Sequence, residues 1–509
     1  MKAPKVRRFG TRTRTIVVAG VLAMLTPAVA TAHGALKSSS PSAGAHLGTA
    51  PRAIRLDFNE TVELAFTSIA LLGPDSTRVL LDSVRAVPDS RRAVVAAIHG
   101  ALAAGTYTIV WQMAGADGHP VRGQFRFVIA PGASGLGAGS APESPEQGLP
   151  RDQGVAPGQT PTPTTHHDVT AMPGTPGSAQ FDAESLGYVA IRWAQFMALL
   201  TVIGAIAFQF VVLGGLRRKQ QSPSSMLVDA RDRAAALALW ASLALAATVI
   251  LRLYAQSFAM HGEASALDAF LIASMLGKTV WGSGWLAQAA GVVVAIVGFA
   301  RARRGLQGGW TIGAFGTAVL AFTPALSGHA ASAPQLTGLA VLADGLHVMG
   351  AGGWLGSLLM VVAAGIPAAL RLAEGERGPA VADLVNAFSP SALVFAGLAA
   401  STGVFAAWLH LGAVPALWQT PYGRTLLLKL GVLSLVAGTG AYNWLRVKPA
   451  LGGPGGGPRI RRSAVVELGV GLVVLIVTAV LVATPTAMDA SAITASDTNM
   501  PTRYAPAPQ

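Results

Sequence analysis

Between residues 54 and 129, several short runs carry apolar side chains on every second position. Ile54, Leu56 and Phe58 alternate along the chain, as do Tyr107, Ile109, Trp111 and Met113, and later Phe125, Phe127 and Ile129. Period two marks strands with one buried face, and turn residues such as Gly73-Pro74-Asp75 and Gly100 separate the runs. About 100 residues of short alternating strands predict an all-β sandwich over 33–131, of the immunoglobulin-like or cupredoxin-like Greek-key kind.

Past residue 186 the apolar positions become continuous. Eight runs, 187–214, 235–258, 279–300, 309–328, 336–366, 383–410, 423–444 and 464–484, reach the roughly 20 residues that cross a bilayer. They predict a polytopic all-α membrane domain over 186–486 with about eight transmembrane helices. The cations assign its sides. Arg217, Arg218, Lys219, Arg231 and Arg233 follow the first run, Arg301, Arg303 and Arg304 the third, Arg371 and Arg377 the fifth, and Arg446, Lys448, Arg459, Arg461 and Arg462 the seventh. The intervening loops hold almost no Lys or Arg, so the positive-inside rule puts them outside the cytoplasm, together with the sandwich and the tail 487–509.

Between the two regions, 132–185 is rich in Pro, Gly, Ser and Thr and reads as a tether. Ahead of both, a basic stretch through Arg14, the apolar run 15–25 and Ala30-Thr31-Ala32 read as a signal peptide over 1–32, with cleavage leaving His33 as the new N-terminus. It demands the same side for the sandwich as the cation pattern does.

Composition agrees with a membrane protein. Charged residues make up 12% of the 509-residue chain, against about 25% in soluble domains, and the mean hydropathy is +0.50. Of the net charge of +13, six cations lie before residue 15, which leaves a nucleic-acid reading weak. With no Cys, a metal could be held only by His, Met, carboxylate or the chain terminus.

None of the ten histidines is placed in the cytoplasm. His261 follows the second run, His329 ends the fourth, His347 lies in the outer part of the fifth and His410 ends the sixth. As a group they point to a metal route opening outward, although any one of them could be an interfacial ring. Asp344, three residues before His347, would share its helix face and could orient it, share a cation, or pair with Arg252 or Lys429. Glu467 is a further intramembrane charge.

The sandwich offers a second site. An N-terminal His presents an α-amine and an imidazole nitrogen to one metal, a chelate suited to tetragonal Cu(II). Asp117-Gly118-His119-Pro120, in a turn between two strands, supplies further donors. His46, His99 and the pair His166-His167 read as solvent-facing loop residues, with an auxiliary metal role weighed for the pair.

Several stretches resemble known families. His33, Ser40-Pro41-Ser42-Ala43-Gly44-Ala45, Ala50-Pro51-Arg52, Phe58-Asn59-Glu60-Thr61-Val62-Glu63, Gly105 to Trp111 and Ala116 to Gly123 resemble the CopC periplasmic copper-binding sandwiches. Ser327-Gly328-His329-Ala330, His347 with Gly353-Trp354-Leu355-Gly356, Thr420-Pro421-Tyr422-Gly423-Arg424 with Lys429, and Glu467 resemble the CopD copper resistance or uptake family. The resemblance implies a CopC–CopD fusion in the inner membrane, with Cu(II) as its ion and His33, Asp117 and His119 as ligands. The candidate membrane copper route, through His261, His329, Asp344, His347 and His410, comes from the placement of these residues along the spans and not from the resemblance. The Met-rich Cu(I) loop of some CopC proteins is missing, since Met113 is the one Met within 33–131.

The expected function is non-enzymatic: capture of copper outside and its import or homeostasis. The alternatives are extracytoplasmic buffering without transport, and a histidine-brace copper oxidoreductase. The pattern G-x-x-x-x-G-K-[ST] is absent, which argues against ATP-driven pumping within this chain. Expected partners are copper ions, the lipid bilayer and periplasmic copper chaperones, with no nucleic acid; the oligomeric state is left open.

Overall fold

The computed structural model describes residues 36–59, 61–88, 90–115, 120–132, 185–219, 222–326, 328, 330, 336–443, 445 and 456–484. The signal peptide, nearly all of the tether and the tail lie outside them.

The N-terminal region is a two-sheet sandwich. Strands β1 (Leu36–Ser40), β3 (Ala53–Phe58), β7 (Ser90–Ala97) and β6 (Arg85–Val87) form one sheet in that order. The second runs β2 (His46–Leu47), β9 (Pro120–Ile129), β8 (Gly105–Ala114), β4 (Ser68–Leu72) and β5 (Arg78–Val79). The alternation is borne out, because Ile54, Leu56, Tyr107, Ile109, Met113, Phe127 and Ile129 are all nearly inaccessible and share one core. Within it the Tyr107 and Phe127 rings stack at 5.5 Å and Phe58 meets Trp111 edge-on at 5.2 Å. Trp111 pairs with Gly123 across β8 and β9. A Cβ on Gly123 would lie 2.4 Å from the indole, so only glycine leaves the ring its place. One reading needs correction: His46 is exposed but sits in β2, parallel to β9 opposite Val128, and not in a loop.

Among the described residues, eight helices are long and apolar enough to cross a membrane: Leu186–Lys219, Ser224–His261, Val280–Arg303, Gly309–Leu326, Thr337–Ala369, Glu374–Leu411, Pro421–Tyr442 and Arg462–Ala483, here the first to eighth spans. Their number agrees with the sequence reading, and the boundaries move. The second span continues 11 residues before its apolar stretch because Asp229 pairs with Arg233 one turn on at 3.1 Å and with Arg371 of the loop between the fifth and sixth spans at 3.4 Å. Hydropathy stops where the helix leaves lipid, whereas backbone hydrogen bonding does not. The first and fifth spans are the most enclosed, 67% buried over their apolar windows, and the sixth is peripheral at 6%. The central pair touch through glycine. A Cβ on Gly204 would stand 2.0 Å from the backbone of Gly356, the close approach that small residues permit between membrane helices. Wide π-turns at Phe208–Val212, Gly352–Gly356 and Val361–Gly365 interrupt these two spans.

Candidate metal centre

The sandwich sits directly on the membrane domain. Its contact is built from the closing end of the β8–β9 hairpin and the short helix Leu64–Phe66, against the end of the second span, a ten-residue helix Ala269–Lys278, and the start of the third span. Phe66, Ala114, Met260, Met275 and Trp281 bury one another there. Three polar bonds frame the patch. Gln112 and Arg122, opposite each other on β8 and β9 and bridged at 2.8 Å, donate at 2.9 Å to the Met260 and Ala259 carbonyls respectively. In the other direction the Val280 N–H donates to Glu63 Oε1 at 3.1 Å. Burial pushes the Glu63 carboxyl above the ordinary glutamate range, and the Val280 bond opposes this only partly.

His261, the last residue of the second span, adjoins these contacts. It is half-buried, with Nδ1 3.4 Å from Ser257 Oγ one turn earlier. Its neighbours in sequence are the carbonyls that the sandwich binds.

A second group lies deeper. His347, on the fifth span, places Nδ1 2.8 Å from the Ala399 carbonyl oxygen and 3.2 Å from Thr402 Oγ1 on the sixth. A carbonyl can only accept, so Nδ1 carries the proton and Nε2 keeps the lone pair that a metal would use. Gly403 makes room, since a Cβ there would meet the ring at 3.1 Å. Asp344, on the same helix, interacts electrostatically with Lys429 of the seventh span, whose charge also reaches His347. Of the two cations weighed for Asp344, Lys429 is the one whose charge acts on it. Arg252 turns elsewhere, 3.4 Å from Gln288 Oε1 and over the Trp281 ring at 5.5 Å. Glu467 accepts from Asn443 Nδ2 at 3.1 Å, tying the last two spans.

His410 meets the Tyr422 ring edge-on at 6.4 Å. Its neighbour Leu409 packs with Ala330 and Ala340, so the fourth, fifth and sixth spans converge at this end. His99 is in a loop as expected, exposed, and bonded to the Asp82 carboxylate. His33, Asp117, His119, His166, His167 and His329 lie outside the described residues. Among the described residues, no three of His, Asp or Glu form a set able to hold one ion.

Sequence reasoning missed Glu63, Gln112 and Arg122. Glu63 stood in a recognised motif, but nothing in strand periodicity says which exposed side chain will meet a helix end.

Three family models match the chain: CopC domain over residues 36–130, copper resistance protein D-like N-terminal domain over 182–339, and copper resistance protein D over 382–481. Copper transport protein CutJ of Bacillus subtilis is 26% identical over 483 residues, covering 93% of this chain and 78% of that protein. Copper resistance protein C of Pseudomonas syringae pv. tomato is 30% identical over 128 residues, covering 23% of this chain and 92% of that protein. The crystal structure of CopC from Methylosinus trichosporium OB3b matches 19% of this chain and 95% of its own, at 30% identity and a TM-score of 0.19.

Proposed function

This chain belongs to the CopC and CopD families, joined in one polypeptide, and from that premise we propose that it captures Cu(II) outside the cytoplasmic membrane and passes copper inward. The observation that carries the proposal is the union of a CopC sandwich with an eight-span CopD region, along a chain that aligns over 93% of its length with a copper transport protein. Copper is the cargo, and the protein is a copper-binding membrane protein of copper import and homeostasis. Signal-peptide cleavage frees His33, whose amine and imidazole, with Asp117 and His119, form the trap. These are hard-to-borderline N and O donors, suited to Cu(II) in tetragonal geometry. Beyond the trap, His261, His329, His347 and His410 offer imidazole nitrogens along the membrane domain, and the Lys429 charge acts on Asp344, one turn from His347. No covalent chemistry is assigned; the ion moves by ligand exchange, drawn inward by a membrane potential worth about 2.3 kcal/mol per charge per 100 mV.

The termini follow the cation pattern. The sandwich rests on the end of the second span opposite Arg231 and Arg233, which supports placing it and the C-terminus outside the cytoplasm. Pure buffering would need only an anchor, and an eight-span domain carrying a half-buried histidine whose Nε2 is free for metal exceeds that need.

The test is the terminus. With one Ala placed before His33, Cu(II) affinity of the mature chain should fall by orders of magnitude, and Asp117→Ala or His119→Ala should each alter the copper EPR spectrum. Copper in cells lacking the protein should fall under starvation. An unchanged affinity with the added Ala would sink the trap, and a raised cytoplasmic copper level in the deletion would reverse the direction.

A further inference from the structure

One buried ionisable side chain has no part in the proposed route. Glu467, on the eighth span, is 6% exposed, and a carboxylate enclosed at membrane depth is costly unless a proton or a cation neutralises it. Its bonded neighbour is neutral. The Asn443 amide, at the end of the seventh span, donates from Nδ2 to Glu467 Oε2 at 3.1 Å. Arg462 precedes Glu467 by five positions on its own helix. The spans packed against that helix carry ionisable groups toward their ends: Lys429 and Tyr442 on the seventh, Arg192 and Arg217 on the first, His347 and Arg371 about the inner half of the fifth, and Asp383 and His410 on the sixth, with none between the members of each pair. Among the described residues, none of these charges acts on Glu467.

The amide is held in one sense. Ser463, one turn before Glu467, donates its hydroxyl to Asn443 Oδ1, so the amide turns its nitrogen, not its oxygen, to the carboxylate. Oε1 is left to take a proton or an ion. It faces Gly440, where a Cβ would lie 3.6 Å away, so the missing methyl keeps this oxygen uncovered. Every donor atom here is oxygen, a set for a proton or a hard-to-borderline cation. The histidines of the proposed route read toward the outer face, whereas on the proposed topology Glu467 lies at the other end, roughly 8 Å along its helix from Arg462. We propose that Glu467, oriented by Asn443 and Ser463, is a proton-binding site on the cytoplasmic side of the membrane domain, and that its proton exchanges with the departing copper ion. The exchange rests on the inward passage proposed above and needs no electron. The carboxyl loses its proton to cytoplasmic water as Oε1 forms a bond to Cu(II), and takes a proton back when the ion leaves. Acid on the cytoplasmic side therefore keeps the site neutral and slows passage.

Two measurements separate the proton from the copper. Infrared difference spectra of the full chain in lipid nanodiscs, titrated with pH in the absence of copper, should show the C=O stretch of a protonated carboxyl that is lost in Glu467→Gln. A spectrum unchanged by that substitution would overturn the proton site. Uptake is read in vesicles with the sandwich outward, Cu(II) added outside and only the interior pH varied. Between a mildly alkaline and a mildly acidic interior, wild-type uptake should fall by about tenfold, the change in charged fraction for one pH unit below a pKa, and Glu467→Gln should be slow at both. Gly440→Ala covers Oε1 but keeps the carboxyl, and should slow uptake into the alkaline interior. Each variant is checked for normal membrane abundance. Uptake that follows the wild-type interior pH profile in both variants would remove Glu467 from the exchange. A wild-type chain that moves no copper at any interior pH would instead sink the inward passage, while the infrared titration still decides the proton site.

Discussion

Glu63 carries a carboxylate into a contact where burial raises its pKa despite the Val280 N–H. The direction has a consequence for pH. Docked, the carboxyl holds its proton to higher pH than when the sandwich is free, so docking gains fully below the ordinary glutamate pKa and loses that gain as pH rises through the raised value. Lys278 lines the same cleft. Cross-linking across the contact, measured without copper, should therefore strengthen as pH falls from neutral. Glu63→Gln keeps an oxygen for Val280 and sheds the cost of burying charge, so it should dock at least as well as wild type at neutral pH and show a flatter profile. A steeper pH dependence in the variant would contradict the assignment to Glu63. Copper binding moves oppositely, since amine and imidazole donors must be deprotonated.

At the scale of elements, the helices are held by close approach where glycine occurs. The Gly204–Gly356 contact leaves no space for a methyl, because a Cβ on either residue would stand within about 2 Å of the other helix's backbone. Gly204→Ala must force the first and fifth spans apart. The cost should reach about 1–3 kcal/mol or more, as for overpacked cores, seen as a lower thermal midpoint in detergent and reduced membrane abundance. Gly431→Ala on the seventh span, where a Cβ meets nothing within 4 Å, is the control and should be neutral or slightly stabilising. The fifth span also carries Asp344 and His347, so a shift there should disturb the His347 bond to Ala399.

For the whole molecule, two ends are chemically distinct. Arg217, Arg218, Arg231, Arg233, Arg301 and Arg371 lie at one end of the bundle's spans, and the sandwich contacts the second and third spans at the other. Reporters active only in the cytoplasm should respond after Lys219, Arg304, Arg377 and Arg462 and stay silent after Gly262 and Pro334. A signal after Gly262 would invert the second span and place the sandwich on the wrong side for capture.

The sequence alone determined that the chain holds a half-buried β-domain followed by eight spans, because period two and the length of apolar runs are local properties set by which solvent each face meets. It also identified Asp344, His347 and Lys429 as linked suspects, since charge in lipid is conspicuous at any register. The tertiary structure decided which of two cations acts on Asp344, because helix neighbours are chosen by shape, through Gly204 against Gly356 and Gly403 beneath His347. It alone joined Glu63, Gln112 and Arg122 to Val280, Met260 and Ala259. Those bonds pair side chains with backbone groups more than 130 positions away, and a helix end's unmet carbonyl leaves no mark in the residue that bears it.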